Sequence, residues 1–354
     1  MSKFWNETVN KIEPYVPGEQ PRDKKYVKLN TNENPYPPSK KVLEAVKNSA
    51  NEDLRLYPDP VCTELSQAIA NFYDLDKENV FLGNGSDEVL EFSFMTFFSK
   101  DKTILFPDIS YSFYPVYAEF FGLNYKMVSL DEEFNIPLEE LKKKNGGVIL
   151  PNPNAPTGKY ISTDKLKELL EENKDSVVII DEAYIDFGGE SMVKYIKDYN
   201  NLLVVQTFSK SRSLAGSRIG FALGDKELIE GLNRVKNSIN SYTIDRTALA
   251  AGKAAIEDKE YFEETRNKII KTRENVSKTL KKMGFKVLDS KANFIFISHK
   301  DFEGQYLYEE LRNRGVLVRF FNKDRINKFL RVTIGTDEEM DILIEKLREI
   351  TKVY

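Results

Sequence analysis

The chain has one cysteine, Cys62, and one histidine, His299, in 354 residues. A single thiol cannot form an internal disulfide, and an unpaired cysteine suits a reducing compartment. One His and one Cys cannot supply the usual zinc ligands, so no metal site is expected. Proton transfer in any enzyme built on this chain falls to Lys, Tyr or a carboxylate. His299, in Ile297-Ser298-His299-Lys300-Asp301, is expected to sit in solvent at the end of a strand. Long apolar runs are also missing. Val177–Ile180 is among the longest, far short of the roughly 20 residues that span a bilayer. Met1–Glu7 lacks the apolar core of a signal peptide, and the cytoplasm is the expected compartment. There is no excess of positive charge either. The formal net charge is -4 and the sequence pI about 5.5, which gives no reason to expect nucleic acid as a partner. A local cluster of arginines can still oppose that global sign.

What is present is enough material for two lobes. The hydrophobic share is 41% and the charged share 31%, ordinary for a folded globular chain of this length. Residues 1–40 carry Pro14, Pro17, Pro21, Pro35, Pro37 and Pro38. These break any long helix, so the segment reads as an irregular arm, with Tyr15, Tyr26, Val27, Leu29 and Tyr36 available for burial. From 41 to about 240 short apolar runs alternate with helical patterns. Ser39 is placed to cap a helix, and Thr63–Tyr73 reads as a second one. Strands are expected at Asn79–Leu82, Thr103–Phe106, Gly147–Leu150, Val177–Ile180, Leu202–Val205 and Arg218–Ala222. Several are continuously apolar, as strands buried on both faces of a mostly parallel sheet are. The predicted class is therefore α/β. Residues 241–354 read as a smaller α+β domain. It has one long charged helix over Lys253–Met283, strands at Asn293–Ile297, Val316–Arg319 and Phe329–Ile334, and helices near Tyr306–Asn313 and from Asp337.

Four pieces in order carry chemistry. Gly83-Asn84-Gly85-Ser86-Asp87-Glu88 follows a strand and opens a helix, where small residues and free N–H groups favour a phosphate. Alone, this is also what an ordinary glycine turn looks like. Asn152-Pro153-Asn154-Ala155-Pro156-Thr157-Gly158 is a rigid loop at the carboxyl end of a strand, where ligands sit in open α/β sheets. Asp181-Glu182-Ala183-Tyr184 ends a buried strand with acid, costly unless it meets a cation or donors. No G-x-x-x-x-G-K-[ST] loop is present to support a magnesium-nucleotide reading. Thr207-Phe208-Ser209-Lys210 leads into a Ser- and Gly-rich turn ending at Arg218. A lysine pocketed near other cations has a lowered pKa and can form imines.

Together these residues resemble the fold-type I aminotransferases over nearly the whole chain. Leu29-Asn30-Thr31-Asn32-Glu33-Asn34-Pro35-Tyr36, Tyr57-Pro58-Asp59-Pro60 and Leu330-Arg331-Val332-Thr333-Ile334-Gly335-Thr336 narrow the resemblance to the histidinol-phosphate aminotransferases. It implies a large domain with a mostly parallel sheet, a smaller α+β domain, and pyridoxal 5'-phosphate as cofactor. It implies Lys210 as the Schiff-base lysine and proton carrier, Asp181 beside the pyridine nitrogen, Tyr184 on the phenolic oxygen and Tyr111 stacked on the ring. Ser86, Asp87, Ser209 and Arg218 would hold the cofactor phosphate, joined by Tyr57 from a second subunit of a homodimer. Arg319, Arg331 and Tyr15 of the arm would grip a phosphorylated amino substrate, with 2-oxoglutarate and glutamate as the other pair. One departure stands out. The family places Asn directly before Pro-Thr-Gly to bond the phenolic oxygen. Here that position is Ala155: either Asn154, one residue earlier, reaches in its place, or the contact is missing and Tyr184 carries it. Threonine-phosphate decarboxylases and aromatic amino acid aminotransferases share these cofactor motifs and remain alternatives.

Overall fold

In the computed structural model, residues 2–13, 18–21 and 23–352 are described, so the expectation for Tyr15 lies outside them. A seven-stranded sheet forms the centre of the molecule. Its order is Val80–Asn84, Ile219–Gly224, Leu202–Thr207, Val178–Asp181, Val148–Pro151, Ile104–Pro107 and Tyr125–Val128. Only Ile219–Gly224 runs against its neighbours; the other ladders are parallel. The continuous apolar runs explain this arrangement. Val178–Ile180 and Leu202–Val205 are completely buried, because helices cover both faces. One layer of core gathers Leu65, Ile69, Val148, Val178 and Val204; the other gathers Phe94, Phe106, Tyr114, Ile149 and Val205. The sequence did not single out Tyr125–Val128, an edge strand in which only Val128 is buried while Lys126 and Met127 are exposed.

Ser39 caps the helix Lys40–Ser49, its Oγ accepting from Val42 N at 3.3 Å, and Thr63–Tyr73 is helical over that same range. The single long helix expected over Lys253–Met283 is two helices, Arg246–Glu257 and Lys259–Lys282, meeting at Asp258. The first packs Ala248, Ala251 and Ala255 into the large core beside Leu65, while the second contributes Ile269, Val276 and Leu280 to the small-domain core. The helical pattern does not reveal the break, because both helices are amphipathic.

The smaller domain is built on an antiparallel sheet ordered Arg319–Phe320, Phe329–Thr333, Phe294–His299 and Phe285–Val287. The single strand expected over Val316–Arg319 is split: Val316–Leu317 pairs instead with Val27–Lys28 of the arm. His299 is buried, not solvated. Its ring lies against Phe285 and Phe302, and its Nδ1 accepts from Asp301 N at 3.2 Å, so its polar atom is satisfied while the ring packs as an aromatic.

The arm joins the two domains. Leu29 N donates to Leu317 O at 2.8 Å, and Thr333 N donates to Leu29 O at 3.0 Å. A few residues on, Asn34 Nδ2 reaches Lys210 O at 3.0 Å. Residues 29–34 therefore run from the small sheet to the carboxyl edge of the large one.

Candidate active site

Pro151, Asp181 and Val205 stand in register across three parallel strands. The turns leaving that edge open a cavity of about 360 Å³, the position at which open α/β sheets bind ligands. Its wall includes Ser86, Asp87, Tyr111, Asp181, Tyr184, Ser209, Lys210 and Arg218 from the large domain, and Arg319 and Arg331 from the small one. Ten of the thirteen residues singled out from sequence thus line one cavity.

One end is built for a phosphate beside a glycine-tight turn. A Cβ on Gly220 would lie 2.2 Å from Gly85 C and Ser86 N, and one on Gly85 would meet Arg218 Nη2 at 2.5 Å. Only glycines let these two backbones and the guanidinium close up. Arg218 itself sits in the left-handed region at φ 51°, a strained placement that function often accompanies. Its Nη2 donates to Asp87 Oδ2 at 2.7 Å, and Tyr111 OH donates to Asp87 Oδ1 at 2.6 Å. Ser209 Oγ accepts from Thr207 Oγ1 at 3.0 Å.

In the middle, Asp181 accepts from Tyr114 OH at 2.9 Å and from Ala183 N at 3.2 Å. Burial pushes its carboxyl up, to about 6, against those two hydrogen bonds. Lys210 lies opposite, its Nζ 5.8 Å from the Tyr184 ring centre and 3.3 Å from Thr31 O. Burial, and then the positive charge of Arg331, bring its ammonium down to about 8. A buried carboxylate short of a cation and a lysine of lowered proton affinity are the two conditions an imine-forming pyridine cofactor needs.

At the far end Arg319 and Arg331 are directly cross-strand partners. Like charges so placed repel. Both guanidiniums lie over Phe321, at 5.6 Å each, and Arg331 also faces Phe294 at 5.5 Å. Arg331 Nη2 donates to Asn30 O at 3.0 Å.

Two expected residues lie elsewhere. Asn154 is buried behind the wall, its Nδ2 donating to Ile109 O and Thr157 Oγ1, both at 3.0 Å. Its Oδ1 has no partner among the described residues. It is Ala155 that faces the cavity. Tyr57 is 77% exposed on the outer surface, stacked on Tyr242 at 4.7 Å, with its carbonyl held by Arg246 Nη2 at 2.8 Å.

Sequence reasoning gave no role to Tyr114, Asn32 or Glu182. The buried acid at 181 signalled a need for a donor, but the donor comes from a helix 67 residues away. Glu182 is held by Ser191 Oγ, Met192 N and Gln206 Nε2. Burial pushes it up, to about 8, and it secures the turn behind Asp181.

The cavity's residues fit pyridoxal phosphate by their own chemistry. There is a close-backbone anion seat at Gly85–Ser86 with Arg218, a buried carboxylate short of a cation, a lysine of lowered pKa, and an aromatic wall at Tyr111. Residues 24–347 match the model of the family aminotransferase class I and II. A histidinol-phosphate aminotransferase of Clostridium beijerinckii is 70% identical over 350 residues, 99% of this chain and 98% of the relative. One from Clostridium acetobutylicum is 64% identical over 349 residues, 99% of each. Among solved structures, a histidinol-phosphate aminotransferase from Clostridium acetobutylicum superposes with a TM-score of 0.84 at 28% identity, over 92% of this chain and 99% of the other. Another, from Sinorhizobium meliloti in complex with pyridoxal-5'-phosphate, gives 0.89 at 23% identity over 99% and 98%, a likeness of fold. Site geometry, fold and sequence agree, and the chain belongs to the class I and II aminotransferases.

Proposed function

We propose that the chain is a pyridoxal-phosphate-dependent aminotransferase that moves the amino group of L-histidinol phosphate to 2-oxoglutarate, giving imidazole acetol phosphate and glutamate in histidine biosynthesis. The observation that carries the substrate class is the Arg319–Arg331 pair. Two guanidiniums carried on adjacent strands line the same end of the cavity, and arginine forks suit phosphate. The full-length likeness to histidinol-phosphate aminotransferases names the substrate within that class.

When bound, the cofactor supplies an electron sink for the substrate's Cα. Ser86, Asp87, Ser209 and Arg218 would hold its phosphate, Asp181 its ring nitrogen, Tyr184 its phenolic oxygen and Tyr111 its face. Lys210, its proton affinity lowered by burial and Arg331, is, among the described residues of the cavity, the amine able to accept and return a proton at Cα. Arg319 and Arg331 fix the substrate's far end, which sets the distance from Cα to Lys210. Residues 30–33 of the arm line one side of the cavity.

A homodimer with shared sites belongs to the same proposal. Leu54, Leu56, Tyr57, Val61, Ile239 and Tyr242 are exposed, Tyr57 stacks on Tyr242, and exposed large apolar side chains favour a partner surface. Among the described residues no helix is long and apolar enough to cross a membrane. The proposed compartment is the cytoplasm, where the buried free thiol of Cys62 stays reduced.

The test is a single turnover of the cofactor-loaded protein. Histidinol phosphate should convert the bound cofactor to its pyridoxamine form with no carbon dioxide released. Carbon dioxide from O-phosphothreonine, with the cofactor spectrum restored, would overturn the proposal in favour of a decarboxylase.

A further inference from the structure

Asn32 belongs to no motif with an obvious catalytic duty, yet it is one of the most constrained residues in the molecule. It is 1% exposed and its backbone is left-handed, at φ 56°. Asparagine tolerates that conformation better than most residues, but it persists only where the surroundings enforce it. Here they do. Asn32 N donates to Thr333 Oγ1 at 3.0 Å, and Asn293 Nδ2 donates to Asn32 O at 3.0 Å. The side chain lines the cavity and its Nδ2 lies 3.0 Å from Tyr184 OH.

The direction of that contact follows from the donors and acceptors around it. Thr333 Oγ1 already accepts from the Asn32 backbone N–H, so its own proton is free for Asn32 Oδ1, 3.1 Å away. The amide oxygen is then spoken for, and the amide nitrogen faces the phenol. A nitrogen that only donates obliges Tyr184 OH to accept. The phenol's own proton must point elsewhere, and among the described residues it meets no acceptor; the open direction is the cavity. Among the described residues nothing else on that wall offers a fixed donor in the same place. Ala155 presents only a methyl group, and the nitrogen of Asn154 is turned to Ile109 and Thr157.

We propose that Asn32 is a positioning residue. It locks the Tyr184 hydroxyl as a donor into the cavity, so that one oriented phenol serves the cofactor's phenolic oxygen where a second donor is missing. This rests on the pyridoxal-phosphate reading above. The charged groups around Tyr184 are Arg331 from the small sheet, Asp181 and Asp87 from the large domain, and Lys210 across the cavity. None of them can set the direction of a hydroxyl proton as a hydrogen-bonded amide does.

The measurement is a pH titration of the visible absorbance of the cofactor-loaded protein, independent of turnover. A donor on the phenolic oxygen competes for the proton which that oxygen shares with the Lys210 nitrogen. Losing the donor makes that proton harder to remove and raises the midpoint. Tyr184→Phe should raise it by about one pH unit or more. Asn32→Asp keeps shape and backbone preference but turns a donor into an acceptor. It should draw the phenol proton away and raise the midpoint similarly in the wild-type background, and far less in the Tyr184→Phe background. Equal shifts in the two backgrounds would mean that the new charge acts through space, and the proposal fails. No shift from Asn32→Asp, or none from Tyr184→Phe, also defeats it. If Asn32→Asp does not fold, Thr333→Val reads the same lock: it removes the hydroxyl that orients the amide and should raise the midpoint in part, whereas an unmoved midpoint overturns the proposal. Absence of any visible band in the loaded wild-type protein would instead overturn the cofactor reading itself.

Discussion

The two ends of the cavity carry charge of different sign. At the large-domain end the carboxylates are held by hydrogen-bond donors from the same domain. Asp87 is shared by Arg218 and Tyr111, Asp181 is bonded by Tyr114 and Ala183, and Glu182 is enclosed by three donors. At the small-domain end two arginines oppose each other across a strand pair, cushioned by Phe321. The first arrangement suits a resident group that stays through the cycle, since the frame is already organised around its seat. The second suits a visitor, because two arginine forks on the cavity wall can take up the oxygens of an anion as it arrives. Lys210 sits between them and feels both, with burial and Arg331 together lowering its affinity for a proton.

Breaking the middle should cost most. Lys210→Ala leaves both ends intact but removes the only amine that the described residues bring to the cavity. Transamination should fall by roughly 10⁴-fold or more, while the pyridoxal-phosphate spectrum loses its lysine-bound form; a retained spectrum would refute the assignment. Breaking the visitor's end comes next. Arg331→Ala should lower kcat/KM for histidinol phosphate by roughly 10²-fold, the scale of a lost charge-assisted hydrogen bond, and change cofactor affinity far less, by no more than follows from the moved Lys210 midpoint. If cofactor affinity falls equally, the contrast between the two ends is wrong. Tightening the resident's end is subtler. Gly220→Ala forces a methyl group against the Gly85–Ser86 backbone and should destabilise the cofactor-free protein by roughly 1–3 kcal/mol, visible as a lower Tm and weaker cofactor retention. The smallest effect sharpens the role of Arg331. Lys210 must be neutral to attack the cofactor aldehyde, and its midpoint is lowered from 10.5 to about 8. The rate of cofactor capture by stripped protein should therefore rise with pH and level off above about 8. In Arg331→Ala, with one repelling charge gone, that midpoint should move up; a midpoint that stays put would separate the lysine from the arginine.

Much of this was legible in residue order. The apolar runs at 177–180 and 202–205 announced strands covered on both sides, and the acid, glycine and lysine signals each closed such a strand, so their convergence on one edge followed from the parallel topology. Helix ends were legible where a cap marked them, as at Ser39. The break at Asp258 was not, because both flanking helices share an amphipathic pattern, and neither was the burial of His299, whose ring is accepted by Phe285 and Phe302 from other segments. Asn154 shows a further limit: its place in the motif suggested reach into the site, yet its amide is committed to Ile109 and Thr157 behind the wall.

By itself, then, the sequence determined the class of sheet, the carboxyl-edge location of the site and the kind of chemistry. Those depend on local periodicity and on which side chains end which strands. The tertiary structure alone decided the donors and the directions. Tyr114 finds Asp181, Asn32 and Thr333 aim Tyr184, and Arg319 comes to face Arg331, through contacts between segments far apart in the chain. Hydrogen-bond direction is set by what every neighbouring group has already donated or accepted, and that accounting exists only once the chain is folded.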